Sequence, residues 1–264
     1  MQHKIHHKTI ILSDLHLGSR WSRASEVLRF LKKHSCDKLI LCGDIIDGWS
    51  IMRGKQVKWR RRHTNVMKYL LSIQDTTEII YIRGNHDDFL DRVLPLKFGN
   101  MTLAKDYVYE SHGKKYYIVH GDEFDSVTKH AKWLSKLGDI GYTILLYINH
   151  LYNKKREQDG LGYKSISKGI KLKVKSSVSY ISQFEDQLSI IAKQKGCNGI
   201  ICGYIHHAEN KYLNDIHYIN SGDWVESMSA AVEEYDGRWH IIENSGNVAN
   251  QSSLKSTIPA TSTR

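Results

Sequence analysis

Short aliphatic and β-branched runs, each halted by glycine or a polar cluster, alternate with helical periods through the first third of the chain. Lys8 to Leu12 reads as a buried strand that stops at Ser13-Asp14. Ser22 to Lys33 follows with Val27, Leu28 and Leu31 on one helical face. Lys38 to Cys42 is a second strand, Trp59 to Ile73 a second helix, and Glu78 to Ile82 a third strand ending at Gly84-Asn85-His86. This β-α-β-α-β order predicts a parallel sheet with crossover helices, and it places ligand sites at the carboxyl ends of the strands.

The texture then changes. From Met101 to Val119 the runs MTLA, YVYE and KYYIVH are strand-like. About residues 125–195 are helical in period and rich in lysine, with apolar Trp133, Leu137, Ile144, Leu145 and Leu146, and with a polar loop, KKREQDGLGYKS. Strand-like runs return at Gly199 to Cys202, Ile216 to Ile219, Ala230 to Tyr235 and Trp239 to Ile242. The helical block therefore reads as a lid inserted into one domain spanning 1–244. The Ser-, Asn- and Thr-rich tail, 245–264, has the composition of a disordered segment.

Composition narrows the class. A chain of 264 residues that is 41% hydrophobic suits one large α/β domain. The formal charge of +10 favours an anionic partner: a phosphorylated substrate, a membrane surface or nucleic acid. Cys36, Cys42, Cys197 and Cys202 form no C-x-x-C pair, and they read as reduced thiols of a cytoplasmic protein. The apolar run after the basic MQHKIHHK is too short for a signal peptide, and no stretch has the length of a membrane span. The expected location is the cytoplasm, with any membrane contact peripheral, at the inner face of the cytoplasmic membrane.

The chemistry sits where strands end. Asp14-Leu15-His16 follows the first strand, Gly43-Asp44-Ile45-Ile46-Asp47 the second and Gly84-Asn85-His86-Asp87 the third. His120-Gly121-Asp122 follows YYIV, and Gly203-Tyr204-Ile205-His206-His207 follows GIIC. Any one of these motifs is ordinarily a cap or a turn, but five in a fixed order converge on one crevice. Carboxylate and amide oxygens with imidazole nitrogens suit Mn, Fe, Zn or Mg. Two such cations about 4 Å apart clamp a phosphate and activate water for in-line attack.

The blocks SDLHLG, GDIID, RGNHDD, HGDEFD and CGYIHH resemble the signature blocks of the calcineurin-like metallophosphoesterases, over about residues 9–225. The resemblance implies a four-layer αββα sandwich with an inserted helical cap and a dinuclear centre of divalent ions, Mn²⁺ first among them. Carried over block by block, one ion falls to Asp14, His16, Asp44 and His206. Asp44 bridges to a second, which Asn85 and His120 also hold. His86 becomes the general acid and Asp47 its orienting partner. The family's closing block reads G-H-x-H, and Tyr204 stands where its first His ligates the second ion. That site is left to the Tyr204 phenol, to water or to neighbouring His207.

Within the family, SDLHLG, GDIIDGW, HGDEFD, the inserted helices and NSGDWVES resemble the UDP-2,3-diacylglucosamine diphosphatases of lipid A synthesis. That resemblance implies hydrolysis of a nucleotide-sugar lipid to UMP and a lipid phosphate, under a cap that holds acyl chains. The lysine-rich insert suits an anionic membrane or lipid. Arg83 and Asp122 are the candidate substrate contacts. A nuclease or other phosphodiesterase of the same fold is the competing enzyme reading, although the chain lacks the interleaved aromatic and basic residues of a single-strand binder. A metal-poor scaffold, disabled at Tyr204, is the non-enzymatic one.

Overall fold

A computed structural model describes residues 4–52, 59–124, 149–162, 164 and 175–244. The predicted β-α-β-α-β opening forms as β1 (Ile5–Leu12), α1 (Ala24–Lys33), β2 (His34–Cys42), α2 (Gly48–Met52), α3 (Arg61–Ile73) and β3 (Glu78–Ile82). A 3₁₀ helix, Asn85–Arg92, leads to β4 (Leu96–Phe98), β5 (Met101–Ala104), β6 (Asp106–Ser111) and β7 (Lys114–Val119). Beyond a 3₁₀ turn at Asp122–Phe124 come helix α4 (149–158) and helix α5 (Lys175–Gln194). The chain closes with β8 (Gly199–Cys202), β9 (Glu209–Leu213), β10 (Ile216–Asn220), β11 (Ser229–Glu233) and β12 (Trp239–Glu243).

The strands make two sheets. One has seven strands in the order β12-β11-β1-β2-β3-β5-β4, and the other five in the order β6-β7-β8-β10-β9. The parallel ladder β1-β2-β3 pairs Leu12 with Leu41 and Cys42 with Ile82, so its carboxyl ends lie side by side. In the second sheet β7, β8 and β10 are also parallel, and Asn220 pairs with Cys202.

Side-chain alternation along these strands builds three cores. Ile10, Leu12, Leu39, Leu41, Ile79 and Tyr81 face α1 and α3. Their neighbours Ile11, Ile40, Cys42, Ile80 and Ile82 face the second sheet, meeting Ile118, Ile201 and Ile219. On the far side, Tyr117, Val119, Ile200, Cys202 and Tyr218 pack against Phe184, Leu188 and Ala192 of α5. Strands buried on both faces explain the unbroken apolar runs of the sequence. The layers run helix, sheet, sheet, helix, the four-layer sandwich that the resemblance implies.

Several boundaries differ from expectation. β1 begins at Ile5 rather than Lys8 because Ile5, His6 and His7 pair with His34, Ser35 and Cys36. Edge strands β4 and β9 carry no buried run and left no apolar signal. The last part of the expected insert, α5, is the crossover between the parallel neighbours β7 and β8 and belongs to the sandwich. Trp133, Leu137, Ile144, Leu145, Leu146 and the tail 245–264 lie outside the described residues. Cys36, Cys42, Cys197 and Cys202 are all buried free thiols, as expected of reduced core positions. Among the described residues no helix is long and apolar enough to cross a membrane.

Candidate metal centre

The five strand-end blocks meet in one place. Asp14 N donates to Gly43 O at 3.0 Å and His16 N to Asp44 O at 2.9 Å, which stitches the loop after β1 to the loop after β2. Gly203 N donates to His120 O at 3.2 Å, joining the loops after β8 and β7. Two glycines set how close the blocks approach. A Cβ on Gly43 would overlap the His120 imidazole, and one on Gly84 would overlap the Asp44 carboxylate.

Asp44 is the hub. Its Oδ2 lies 3.4 Å from His120 Nε2, 3.7 Å from His16 Nε2 and 3.9 Å from His86 Nε2. Asp14 Oδ1 lies 2.9 Å from His206 Nε2 and 3.8 Å from His16 Nε2. Three overlapping groups have ligand atoms within 4.8 Å of one another: Asp14-His16-His206, His16-Asp44-His86 and Asp14-Asp44-His120. A carboxylate shared between groups is what two neighbouring cations require.

The donor set fits divalent cations. The buried atoms Asn85 Oδ1 and His120 Nε2 find no hydrogen-bond partner, although buried polar atoms nearly always do. His120 Nδ1 lies 3.0 Å from the Cys42 carbonyl, which accepts only. In the neutral ring the proton therefore sits on Nδ1, which leaves Nε2, on the Asp44 side, as the atom available to a cation. Burial alone would raise the pKa of Asp14 and Asp44, yet both are held low, by His206 and His120 respectively. Burial pulls His120 down, but Asp44 and Asp14 push it up to about 10. Two buried carboxylates thus demand positive charge at this spot.

His86 stands at the edge of the cluster. Its Nδ1 is 3.1 Å from Asp47 Oδ1, and the Trp49 ring lies over it at 4.1 Å between centroids. The Ser50 amide also donates to Asp47, at 2.9 Å. These bonds outweigh burial and hold Asp47 down at about 2. Burial lowers His86, but the Asp47 hydrogen bond and the Asp44 charge leave its pKa above the ordinary histidine value.

The remaining candidates fall elsewhere. Arg83 is buried and spans three carboxylates, with Nη1 2.7 Å from Asp122, Nε 3.1 Å from Asp91 and Nη2 on Glu123. This cluster clamps the loop after β3 to the loop after β7. Arg83 and Asp122, read from sequence as substrate contacts, are here each other's partners. His207 belongs to none of the three groups, and its Nε2 lies 3.8 Å from Glu209. The Tyr204 ring meets His120 edge-on at 5.5 Å and lies 5.9 Å from Phe184, while its amide donates to Asp14 at 3.3 Å.

Two supporting residues escaped the sequence reading. Asp87 is fully buried and accepts from Ile46 N at 2.8 Å, Tyr81 OH at 2.9 Å, Ile45 N at 3.0 Å and Gly84 N at 3.3 Å. It fixes the turn that carries Asp44. Asn220 donates to Gly203 O at 2.7 Å and anchors the loop of Tyr204 and His206. Both stand inside quoted blocks, RGNHDD and NSGDWVES or its border, but their partners are remote in sequence.

Comparison with known proteins reaches the level of family. A curated relative named UDP-2,3-diacylglucosamine hydrolase from Shewanella loihica is 24% identical over 84% of this chain and 90% of its own. The protein of that name from Shewanella halifaxensis is 25% identical over 84% and 92%. Among solved structures, a hypothetical protein from Pyrococcus horikoshii aligns with a TM-score of 0.47 at 11% identity, over 90% of this chain and 88% of that one. A structure described as a novel archaeal phosphodiesterase aligns with a TM-score of 0.42 at 12% identity, over 89% and 98%. The model of the calcineurin-like phosphoesterases matches residues 7–207, and with that match the chain belongs to the calcineurin-like phosphoesterase family.

Proposed function

We propose that the protein is a dinuclear metal-dependent hydrolase that cleaves the pyrophosphate of UDP-2,3-diacylglucosamine, releasing UMP and a lipid phosphate. The observation that carries the metal assignment is Asp44, whose carboxylate faces His16, His86 and His120 at once. Asp14, His16, Asp44 and His206 are the ligands of one ion, and Asp44, Asn85 and His120 hold the other. Mn²⁺ is the first choice, carried over with the family resemblance; the mixed carboxylate, amide and imidazole set suits Fe, Zn or Mg as well. Bound there, the two ions would supply Lewis acidity to the phosphoryl oxygens and a nucleophile at neutral pH.

His86 is the acid in this reading. Asp47 accepts from Nδ1, so the mobile proton is carried at Nε2, on the side of the ring that faces Asp44. The upward shift that Asp47 gives the ring favours the protonated form that an acid at the leaving oxygen needs. The substrate assignment rests on the relatives named UDP-2,3-diacylglucosamine hydrolase, which this chain matches over 84% of its own length. The part of 125–195 that precedes α5 is proposed as the lid over the lipid, and its lysines as the peripheral contact with an anionic membrane.

The test is incubation of the purified chain with Mn²⁺ and UDP-2,3-diacylglucosamine, reading UMP by mass spectrometry beside an Asp44→Asn control. Metal-dependent release that the control lacks is the expected result. Turnover of bis(p-nitrophenyl) phosphate without UMP release would overturn the substrate and keep the hydrolase.

A further inference from the structure

The loop that leaves the metal centre after His16 runs into a second, chemically different cleft. It lies between the first turn of α1, the start of α3 and helix α4, and has a volume of about 130 Å³. Arg20, Arg23, Arg62 and His150 line it, with Ser25 at its wall and Glu26 as its acidic residue. Glu26 is shared: it lies 4.0 Å from Arg23 and 3.3 Å from Arg29. Arg62 donates to the Arg20 carbonyl at 3.2 Å, and the Arg20 guanidinium stacks over Trp21 at 4.3 Å. These bonds hold the guanidiniums together on one wall, where among the described lining residues three arginines face the one carboxylate of Glu26, itself shared with Arg29. The wall feels that repulsion. Burial lowers the pKa of Arg62, and Arg60 and Arg23 lower it further. His150 is lowered by burial and then by Arg23, Lys154 and Arg20.

The helix adds to the field. Arg23 is the N-cap of α1 and makes no side-chain capping bond, so the helix presents an uncapped positive end to the same cleft. A cavity walled by three arginines, a histidine and a helix N-terminus is complementary to a compact oxyanion, and the guanidinium fork matches phosphate in particular. The cleft continues, through Arg23, Glu26 and His150, into a larger chamber of about 560 Å³ where Leu161 and Met228 supply apolar surface. That volume is in the range of small-molecule sites.

From these features we infer that the cleft is an anion site, separate from the metal-ligand set, that binds a phosphate monoester group and seats the rest of its molecule along the larger chamber. The chemistry fits the phosphate of a soluble metabolite or of a lipid headgroup equally. This inference does not depend on the hydrolase reading, because no residue of the cleft belongs to the metal-ligand set.

The test titrates inorganic phosphate into the full-length Asp44→Asn chain by calorimetry, so that the metal centre contributes little. One saturable equivalent is expected, weakened roughly tenfold or more when Arg23→Gln and Arg62→Gln are added, as the loss of charged hydrogen bonds implies. Flotation with vesicles of phosphatidic acid against phosphatidylcholine alone identifies a lipid source, by binding to the first only and in the arginine-intact chain only. If the double substitution disturbs folding, read by far-UV circular dichroism, the exposed Arg20→Gln carries the comparison. Absence of saturable binding to both phosphate and phosphatidic acid overturns the inference. So does an affinity that these substitutions leave unchanged in a folded chain.

Discussion

Asp87 offers the sharpest test of how the centre is held. Its two oxygens accept four donors: Oδ1 takes Ile46 N and Tyr81 OH, and Oδ2 takes Ile45 N and Gly84 N. Asp87→Asn keeps the shape and replaces one acceptor oxygen with an NH₂ donor. In either amide orientation two of the four donors lose their acceptor, and each faces a like donor in a buried site. An unsatisfied buried donor costs about 1–3 kcal/mol, so the substitution costs about 2–4 kcal/mol after allowing for relaxation. For a chain of this size about 1 kcal/mol moves Tm by roughly 2–4 °C, which makes the expected fall roughly 4–16 °C. The same amides carry the Asp44 turn, so bound metal measured by atomic emission should fall with it. A chain carrying Asp87→Asn with unchanged Tm and unchanged metal content would refute the claim that this carboxylate fixes the turn.

Further outcomes follow from the same geometry. Tyr204→His should raise the affinity of the second cation, read as a metal stoichiometry that climbs towards two per chain in calorimetric titration; an unaltered isotherm would show that Tyr204 does not limit that site. Asp47→Asn should lower kcat on bis(p-nitrophenyl) phosphate by about 10²–10⁴ and shift the pH profile, because the acceptor at His86 Nδ1 loses its negative charge; an unchanged profile would exclude His86 as the acid. His34, His63 and His217, each lowered mainly by burial to about 4, are neutral in the fold. The unfolded chain binds their protons below about 6.5, so their contribution is present above that pH and is lost as pH falls towards 4. At about 1 kcal/mol each, after discounting for solvent screening, the three lower Tm by more than about 5 °C between pH 7.5 and 5, against the opposite pull of His120, whose raised pKa adds stability as pH falls; a folded chain with all three replaced by Gln whose Tm falls just as far would refute it.

The sandwich was legible because parallel strands buried on both faces leave runs such as TIIL, LILC and GIIC that no solvent-facing strand would carry. The outer strands β4 and β9 were not, although the edge strands β6 and β12 were read as YVYE and Trp239 to Ile242. Leu96–Phe98 is exposed throughout and Glu209–Leu213 lacks a buried position, so their pairing is set by backbone bonds to β5 and β10 and not by a pattern. The candidate centre was legible in its residue types and their order. Its supports were illegible because they act across the chain. Arg83 reaches carboxylates 39 and 40 residues away, and Asn220 closes a loop 17 residues back. Arg83 reads as a substrate contact beside its block, and its ion partners Asp91, Asp122 and Glu123 are visible only in three dimensions.

Backbone strain gives an independent sign of what the centre selects for. Eight non-glycine residues among those described have left-handed φ angles, and five of them are Asp14, His16, Asp44, Tyr204 and His206. Such conformations cost about 1–3 kcal/mol each, and glycine would relieve them. The chain keeps acids and imidazoles there instead, and cross-loop bonds from Asp14 N, His16 N, Trp224 N and Asn220 hold the turns in place. Side-chain chemistry therefore outweighs backbone preference at these positions. Tyr204 is the telling member. Its φ of 65° matches the 52° of His206 two residues on, although an aromatic residue gains nothing locally from that conformation. The loop thus gives Tyr204 the same left-handed backbone as the candidate ligand His206. Tyr204→His should consequently be accepted without rearrangement, with Tm within about 2 °C of the parent in the metal-free chain. A large loss of stability would mean that the phenol, through its packing on His120 and Phe184, has become a structural element of the loop.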